Sequence, residues 1–583
     1  MTRRGRGLKP LALLFCMAMI AAGCGDSADE GGDGGGDGAT RTTVEAARSD
    51  TCRTIEYEDA PEGGELVDYA QLSSAGDNTS FDPGAVQTLD EAQITNALFD
   101  GLLDFDYSDT CNPVLKPLVA EDLPEVNDDA TEFTFKIKDG QEFSNGEKIK
   151  PSNFKIAWER AGSAELASSY GYLMALIKDG SKLLDGSLKT LDSIVADDDA
   201  MTLKVTLEES QADFPAITTF SSFSPISKAD YEKIGNTTGW GTAGITIGNG
   251  PFKLEKADSP DSGEVVIVRN DKWKGDINGN KKVNLDKITF KLTTDVASAY
   301  QAFDAGEGDT ATIPPGQYSA ARGKYPNTVD QAVLGTYFFD FGYTDPQVGG
   351  DKNLKLRQAI SMAIDRDEIN DKVYEGARVI STGITPPGIP GFKADLCKYC
   401  KTDPTEAKKL FDEWTADGGS VTGPIKISFN SGGGHEDVAA IMQANVKAAL
   451  GIDLQLNAID EDYFKVIAEE GACQICRSGW YADYPTYGNF MVDLFGKVSI
   501  DGNNLGRHDD PEFEDLLADA SKETDATKRG ELYSQAEDRL INGTTSAIPL
   551  NWYTGDQVYR EGIVNYILPP LGLYAWEKVG KSS

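Results

Sequence analysis

"HEDVAAIMQANVKAALGIDLQL", residues 435–456, holds the two elements of an α/β fold one after the other. Its apolar residues recur at helical spacing, which predicts a helix with one buried face. Gly451 is of the type that ends helices, and the stretch "IDLQLNAI" that follows predicts a strand. Helix followed by strand recurs from about residue 350 to 500, so we expect α/β lobes. The apolar face of the predicted helix consists of Val438, Ile441, Met442 and Val446.

The beginning of the chain predicts an export signal. Four basic residues precede the apolar run 11–22, which is too short to span a bilayer and ends in small residues. The run closes with "AAGC", residues 21–24, which is similar to a bacterial lipobox. We therefore expect residues 1–23 to be a signal peptide and Cys24 to carry the lipid; ordinary cleavage without a lipid is the alternative. Residues 24–44 are rich in glycine and aspartate and predict a flexible tether.

Net charge and length narrow the class of protein further. Removal of residues 1–23 takes away four basic residues and no acidic one, which lowers the formal charge from −39 to −43. Such a chain repels nucleic acid and anionic lipid, so neither is an expected partner. The remaining ~530 residues exceed what one hydrophobic core organises, which predicts two or three lobes.

Six cysteines follow Cys24, and an even count in an exported chain favours disulfides over a zinc site or redox activity. Cys52 with Cys111 is the simplest pair. Residues three apart in a strand lie ~10 Å from each other, so a bond between Cys473 and Cys476 in a strand would exceed disulfide geometry. We prefer pairing of Cys473 and Cys476 with the cysteines of the 397–400 loop. A turn in that loop would instead permit a local Cys397–Cys400 bond. The candidates are Cys52, Cys111, Cys397, Cys400, Cys473 and Cys476.

No catalytic or metal site is predicted. The chain has two histidines, His435 and His508, which we expect to be solvated rather than to act as bases. "DINGNKKVNLDK" from Asp276 hints at a calcium loop, but Lys281 replaces the turn glycine and Lys287 replaces the bidentate glutamate. We therefore expect no metal, no cofactor and no enzymatic activity.

Several stretches occur together in one order. They are "SFDP" (80–83), "ITNALFDGLL" (94–103), "FTFKIKDGQEFSNGEKIKPSNFKIAWERA" (133–161), "IGNGPFKLEK" (247–256), "AYQAFDAGEGDTATIPP" (299–315), "LKLRQAISMAIDRDEI" (354–369) and "NNLGRHDDPEFEDLLADA" (503–520). The ordered set resembles the family 5 extracytoplasmic solute-binding proteins of ABC importers, the oligopeptide- and dipeptide-binding group.

The resemblance implies an α/β, two-lobed, periplasmic-binding-protein-like fold with an extra domain. Mixed sheets flanked by helices would form the lobes, with hinges near residues 335 and 545. The implied boundaries are 45–92, 235–335 and 546–583 for lobe I, 93–234 for an inserted second domain, and 336–545 for lobe II.

"RSGWYADYPTYGNF", residues 477–490, resembles the strand that contacts ligand in this family. In peptide-binding members, the aspartate of "ADY" pairs with the α-amine of the peptide and the arginine before "GW" meets its C-terminal carboxylate. The resemblance assigns these roles to Asp483 and Arg477. Trp480 would line the pocket, and the backbone of Ser478 to Tyr481 would pair with peptide amides. The implied ligand-binding residues are Arg477, Ser478, Gly479, Trp480, Tyr481 and Asp483, with Gly76, Asp77 and Asn78 on a facing edge.

The chemistry of a peptide of unspecified sequence fits these residue types. Its constant features are main-chain donors and acceptors, a positive end and a negative end, which an open strand edge, a carboxylate and a guanidinium would satisfy. Six residues of strand between Arg477 and Asp483 span up to ~20 Å, and a bend at "ADYP" would shorten this. The alternative is that the two side chains form a surface ion pair with each other.

These features predict a monomeric receptor, lipid-anchored to the outer face of the cytoplasmic membrane. It would close around a short peptide and deliver it to the permease and ATPase subunits of an ABC importer. An oligosaccharide, or a nickel or haem-type complex, is the alternative ligand within the same fold. An extracellular hydrolase is the alternative from another class.

Overall fold

The computed structural model describes residues 52–71, 81–86, 88–237, 245–257, 263–293, 295–459 and 462–582. Its strands are β1 Glu65–Gln71, β2 Leu103–Asp106, β3 Val114–Pro117, β4 Glu125–Val126, β5 Glu132–Lys136, β6 Ile194–Asp197, β7 Thr202–Thr206, β8 Phe252–Ala257, β9 Glu264–Arg269, β10 Lys287–Thr293, β11 Thr310–Thr312, β12 Thr328–Val329, β13 Ala332–Phe341, β14 Val379–Ile380, β15 Ile425–Asn430, β16 Leu454–Ile459, β17 Ile475–Tyr481, β18 Ala547–Thr554, β19 Gln557–Tyr559, β20 Ile563–Val564 and β21 Gly580–Lys581.

The α-helices alternate with these strands. They are α1 Leu89–Leu98, α2 Pro151–Ala161, α3 Ser181–Leu184, α4 Phe214–Ile217, α5 Lys228–Ile234, α6 Val296–Asp304, α7 Tyr318–Lys324, α8 Leu354–Ala363, α9 Arg366–Val373, α10 Pro404–Ala416, α11 His435–Leu450, α12 Tyr463–Ala468, α13 Tyr487–Phe495, α14 Pro511–Lys522 and α15 Ala526–Asp538. No helix in the described ranges is both long and apolar enough to cross a membrane.

The helix and strand predicted from residues 435–456 are confirmed. Val438 and Met442 are fully buried on the inner face of α11. The helix ends at Gly451, whose φ of 73° is the left-handed conformation that glycine adopts without steric cost. The chain then returns as β16, which pairs parallel with β15. The predicted α/β class is therefore correct.

Three larger sheets organise the described residues. A seven-stranded sheet has the order β12-β19-β11-β1-β10-β9-β8, and a six-stranded sheet has the order β14-β18-β13-β17-β15-β16. A four-stranded sheet, β4-β5-β7-β6, is built from residues 125–206. Its strand β5 buries Phe133 and Phe135 as the alternating sequence predicts, and both contribute to a separate hydrophobic core.

The chain passes between the seven- and six-stranded sheets at two adjacent places. One is the step from β12 to β13 at residues 330–331, and the other is the step from β18 to β19 at residues 555–556. The two steps touch, because the amide of Gly555 donates to the carbonyl of Gln331 at 2.8 Å. The second step lies later than the hinge predicted near 545, since Ala547–Thr554 pairs with β13. The hinges near 335 and 545 and all the lobe boundaries remain predictions.

The disulfide pattern corrects one expectation. The bonds are Cys52–Cys111, Cys397–Cys400 and Cys473–Cys476, so both close pairs are local. The preferred pairing of 473 and 476 with the 397–400 loop was wrong because β17 begins only at Ile475. Cys473 lies before the strand, and its Cα is 5.4 Å from that of Cys476, within the ordinary disulfide range.

Candidate ligand-binding site

A cavity of about 1060 Å³ opens against the carboxyl end of β17. Its wall includes residues 478–483, which form the last part of β17 and the turn after it. The opposite walls come from the start of the described chain, from α1 and β2, and from the C-terminal segment. Elements far apart in sequence therefore enclose one space of a size that suits a small ligand.

The strand β17 has one open edge along this cavity. Its other edge pairs with β13 over its full length, from Ile475 to Tyr481. On the cavity side, β15 pairs only with Ile475 and Cys476. From Ser478 to Tyr481 no described strand pairs with this edge. An unpaired strand edge is a surface to which an extended peptide adds as a further strand.

Asp483 lies at the end of this open edge and lines the cavity. Its backbone amide donates to Oδ1 of Asn489 at 3.0 Å, and its Oδ2 accepts from Nδ2 of the same residue at 3.2 Å. The hydroxyl of Tyr170 also hydrogen-bonds the carboxylate. Within the described ranges, no lysine, arginine or histidine forms an ion pair with Asp483. The carboxylate is thus held in position by neutral donors and lacks a counter-charge.

Burial raises the pKa of Asp483 to about 8, and the nearby carboxylate of Asp493 contributes in the same direction. The hydrogen bonds from Asn489 and Tyr170 oppose this shift but do not cancel it. A half-buried carboxylate with a raised pKa gains most from a ligand that brings a positive charge. The carboxylate of Asp483 therefore favours a cationic ligand over water.

Arg477 lies in β17, with Nη2 beside Gly479. Its guanidinium carbon is 5.2 Å from the centre of the Tyr337 ring and 5.7 Å from that of Phe464. Nη1 is 3.4 Å from Oδ1 of Asn430, and Nε is buried without a hydrogen-bond partner. Ser478 to Asp483 line the cavity, whereas Arg477 does not.

Arg477 and Asp483 do not lie on one continuous strand, because β17 ends at Tyr481 between them. Residues 477 and 483 would share one face only if β17 stayed extended, but it ends at Tyr481. The amide of Ala482 then donates to Leu334 at 2.8 Å, and the chain turns Asp483 toward Asn489. Arg477 and Asp483 form no ion pair with each other in the described structure, so the surface-pair alternative is not what the structure contains.

The remaining residues of the predicted strand line the cavity in different ways. Trp480 is half-buried, and its Nε1 donates to Oδ1 of Asn489 at 2.9 Å. Gly479 leaves no room for a side chain, because a Cβ there would lie 2.3 Å from the hydroxyl of Tyr553. Tyr481 stacks on the same tyrosine, with ring centres 4.7 Å apart. Gly76, Asp77, Asn78 and the predicted lipidation site Cys24 lie outside the described residues.

Asn489 is the residue that sequence reasoning missed at this site. One carboxamide holds the amide and carboxylate of Asp483, the indole of Trp480 and the carboxylate of Asp493. It stands six positions after Asp483 on α13, so its presence in the quoted stretch was the only signal available.

The histidines are not solvated as expected. His435 is stacked against Tyr337, with Nδ1 2.9 Å from the tyrosine hydroxyl, and burial lowers its pKa to about 2. His508 is 1% exposed, and burial lowers its pKa to about 4. Both are core residues. Among the described residues, no group of histidine, cysteine, aspartate or glutamate is arranged to hold a metal ion.

Comparisons with known proteins agree with this geometry. A profile described as "Bacterial extracellular solute-binding proteins, family 5 Middle" matches residues 114–502. The oligopeptide-binding protein OppA of Bacillus subtilis is 30% identical over 460 residues, which cover 77% of this chain and 82% of that protein. The dipeptide-binding protein DppE of the same organism is 27% identical, covering 88% of this chain and 92% of its own.

Solved structures share the fold. The murein tripeptide binding protein MppA of Escherichia coli matches with a TM-score of 0.73 at 24% identity, covering 90% of this chain and 99% of that one. This likeness confirms the predicted periplasmic-binding-protein-like fold.

Proposed function

Because this chain belongs to the family 5 bacterial extracellular solute-binding proteins, we propose that it captures short peptides and delivers them to an ABC importer. The single observation that carries the proposal is the placement of Asp483. A half-buried carboxylate without a counter-charge stands at the end of an open strand edge, inside a cavity of about 1060 Å³. The α-ammonium of a peptide would supply the missing charge, and its main chain would pair with the edge.

Arg477 has a less direct part in the proposal. It has no carboxylate partner among the described side chains, which agrees with a cation reserved for the C-terminus of a ligand. Arg477 is not among the residues that line the cavity. We therefore rest the proposal on Asp483, with the role of Arg477 following from family resemblance alone.

The proposed cycle is hinge closure followed by docking on a membrane permease. The adjacent chain crossings at 330–331 and 555–556 are the points at which one sheet would rotate against the other. The proposal also includes the export signal at 1–23, the lipid on Cys24 and the tether at 24–44. They would hold a monomeric receptor at the outer face of the membrane.

Native mass spectrometry of the purified full-length protein tests the proposed function. We expect co-purified ligand with masses of short peptides, and titration with trialanine should displace it. A ladder of saccharide masses, a metal complex, or hydrolysis of a labelled peptide would contradict the proposal. The control is N-acetyl-trialanine amide, which keeps the main chain and removes both end charges.

Proton release on binding is a further expected result. The pKa of Asp483 is about 8 in the free protein, and a bound ammonium stabilises the ionised form and lowers it. Below pH 8, binding therefore expels a proton, and affinity for a free-amine peptide should fall by up to about tenfold per pH unit toward pH 6. An ordinary α-amine stays charged over most of this range.

Calorimetry at pH 6, 7 and 8 in two buffers of different ionisation enthalpy measures the released proton. Asp483→Asn, which has no proton to release, is the matched control. Equal affinity at pH 6 and 8 would show that the carboxylate does not meet the amine.

A further inference from the structure

A second group of carboxylates faces the same cavity away from Asp483. We call it the acidic end and define it as Asp100, Asp104, Asp276 and Glu577. Asp104 lies on β2 and Asp100 just before it, whereas Asp276 belongs to the loop before β10 and Glu577 to the C-terminal segment. Residues from three distant parts of the chain thus converge on one wall of the cavity.

The lysines of the cavity wall neutralise this group only in part, because Lys578 forms ion pairs with both Asp276 and Glu577. Eight acidic residues line the cavity against two basic residues, Lys282 and Lys578. Lys282 pairs with Asp59 at 2.7 Å, and Lys578 pairs with Asp276. Both lysines are therefore already engaged, and within the described ranges Asp100 and Asp104 form no ion pair.

Asp100 and Asp104 have only neutral partners among the described residues. Oδ2 of Asp100 accepts from Nε1 of Trp273 at 2.7 Å. Oδ1 of Asp104 accepts from the amide of Phe105 at 2.7 Å. Each carboxylate keeps acceptor capacity for a ligand that donates hydrogen bonds.

An independent observation on the same wall points to a donor-rich ligand. Asn284 is 5% exposed and lines the cavity, and its Nδ2 donates to the carbonyl of Lys578 at 2.7 Å. This bond fixes the orientation of the carboxamide, and Oδ1 is buried with no hydrogen-bond partner. A buried acceptor without a donor is costly unless a ligand or water satisfies it.

The pKa shifts at the acidic end also favour a positively charged ligand that donates hydrogen bonds. Burial raises the pKa of Glu577 to about 7 although Lys578 opposes the shift, and the neighbouring carboxylates add to it. The pKa of Asp104, whose side chain is exposed to the cavity, is raised by partial desolvation and by Asp276 and Asp106. Burial, and then neighbouring carboxylates, also raises the pKa of Asp100 well above its ordinary value. A cation placed among these groups would relieve their mutual repulsion.

We propose that the acidic end is a subsite for a second positive charge, and that the protein selects peptides that carry a lysine or arginine side chain in addition to the α-ammonium. The inference rests on the proposed peptide-binding function and specifies its ligand class. Asp483 would hold the amine terminus, and Asp104, Glu577 and Asn284 would receive the side-chain cation through charge-assisted hydrogen bonds.

A tetraalanine scan tests the inference with the full-length protein. Lysine, norleucine and glutamate are placed in turn at each position, and affinity is measured by calorimetry at pH 7.5. At one position or more, we expect lysine to bind at least tenfold more tightly than norleucine, which has a similar length and no charge. Glutamate should bind more weakly than norleucine there.

Substitutions in the acidic end test whether it causes the preference for lysine peptides. In Asp104→Asn/Glu577→Gln, the lysine preference should fall below threefold, while affinity for the norleucine peptide changes less than threefold. Asp139→Asn, which removes one exposed charge outside the cavity wall, should leave the preference intact. Thermal unfolding checks that each variant is folded.

The outcomes separate the two proposals. Peptide binding with no lysine preference at any position would overturn the inference and leave the proposed function standing. A preference that survives the double substitution would place the subsite elsewhere and also overturn it, as would binding of free cadaverine as tightly as the lysine peptide. Binding of no peptide would overturn the proposed function itself.

Discussion

Asp483→Asn is expected to weaken binding of free-amine tripeptides by roughly 10- to 150-fold, the equivalent of a charge-assisted hydrogen bond of about 1.5–3 kcal/mol. Asparagine keeps the shape of the side chain and its place against Asn489, but it cannot balance an ammonium. Because no described cation pairs with Asp483, the substitution should leave folding intact and remove one half-buried carboxylate. Calorimetry or quenching of tryptophan fluorescence, with Trp480 at the site, measures the loss.

Two controls make this result specific to the amine. N-acetylated peptides have no ammonium, so wild type and Asp483→Asn should bind them with affinities within about threefold of each other. Asp139→Asn, at an exposed position outside the cavity wall, should bind both peptides as wild type does. A similar loss for acetylated and free-amine peptides would mean that Asp483 supports the shape of the cavity and does not bind the terminus.

The elements of the fold were predictable where the sequence pattern is local. The helix from His435 and the strand after Gly451 follow from spacing and one glycine. The disulfide pairing was harder to predict, because the start of β17 decides whether Cys473 reaches Cys476. A shift of two residues in a strand boundary changes that answer, and boundaries are the least certain part of any pattern.

The site was predictable only in part. The family resemblance directed attention to β17 and assigned Arg477 and Asp483 to the two ends of one peptide, but only Asp483 lines the cavity. The acidic end had no sequence signal at all. Asp104 and Glu577 lie more than 400 positions apart, and only the folded chain brings them to one wall.

The structure also explains two stretches whose resemblance had no physical account. Asp82 of "SFDP" and Arg160 of "AWERA" meet in the interior. Nη1 and Nη2 of the arginine donate to the two carboxylate oxygens at 2.8 and 2.5 Å, and both side chains are 1% exposed. The same guanidinium donates to the carbonyl of Gly235 at 2.9 Å. These two short stretches are therefore structural and tie the start of the chain to α2.

Arg160→Met is expected to lower the free energy of unfolding by about 3–5 kcal/mol, because it removes the guanidinium that pairs with the buried carboxylate of Asp82. Methionine fills a comparable volume, so the loss reports the charge and the hydrogen bonds more than a cavity. Urea denaturation followed by circular dichroism measures the change, with peptide binding of the folded fraction measured in parallel. Binding should persist, since neither residue lines the cavity.

Two further variants show whether burial is the cause. Arg269→Met breaks a pair with Asp286, whose side chain is 64% exposed, so it should cost no more than about 1 kcal/mol. Asp82→Leu/Arg160→Met removes both charges and should be more stable than Arg160→Met alone, because no unpaired charge remains in the interior. If the double variant were less stable than Arg160→Met, the desolvated charge would not be the source of the loss. The two stretches would then be coupled mainly by packing and by the backbone carbonyls that Arg160 binds.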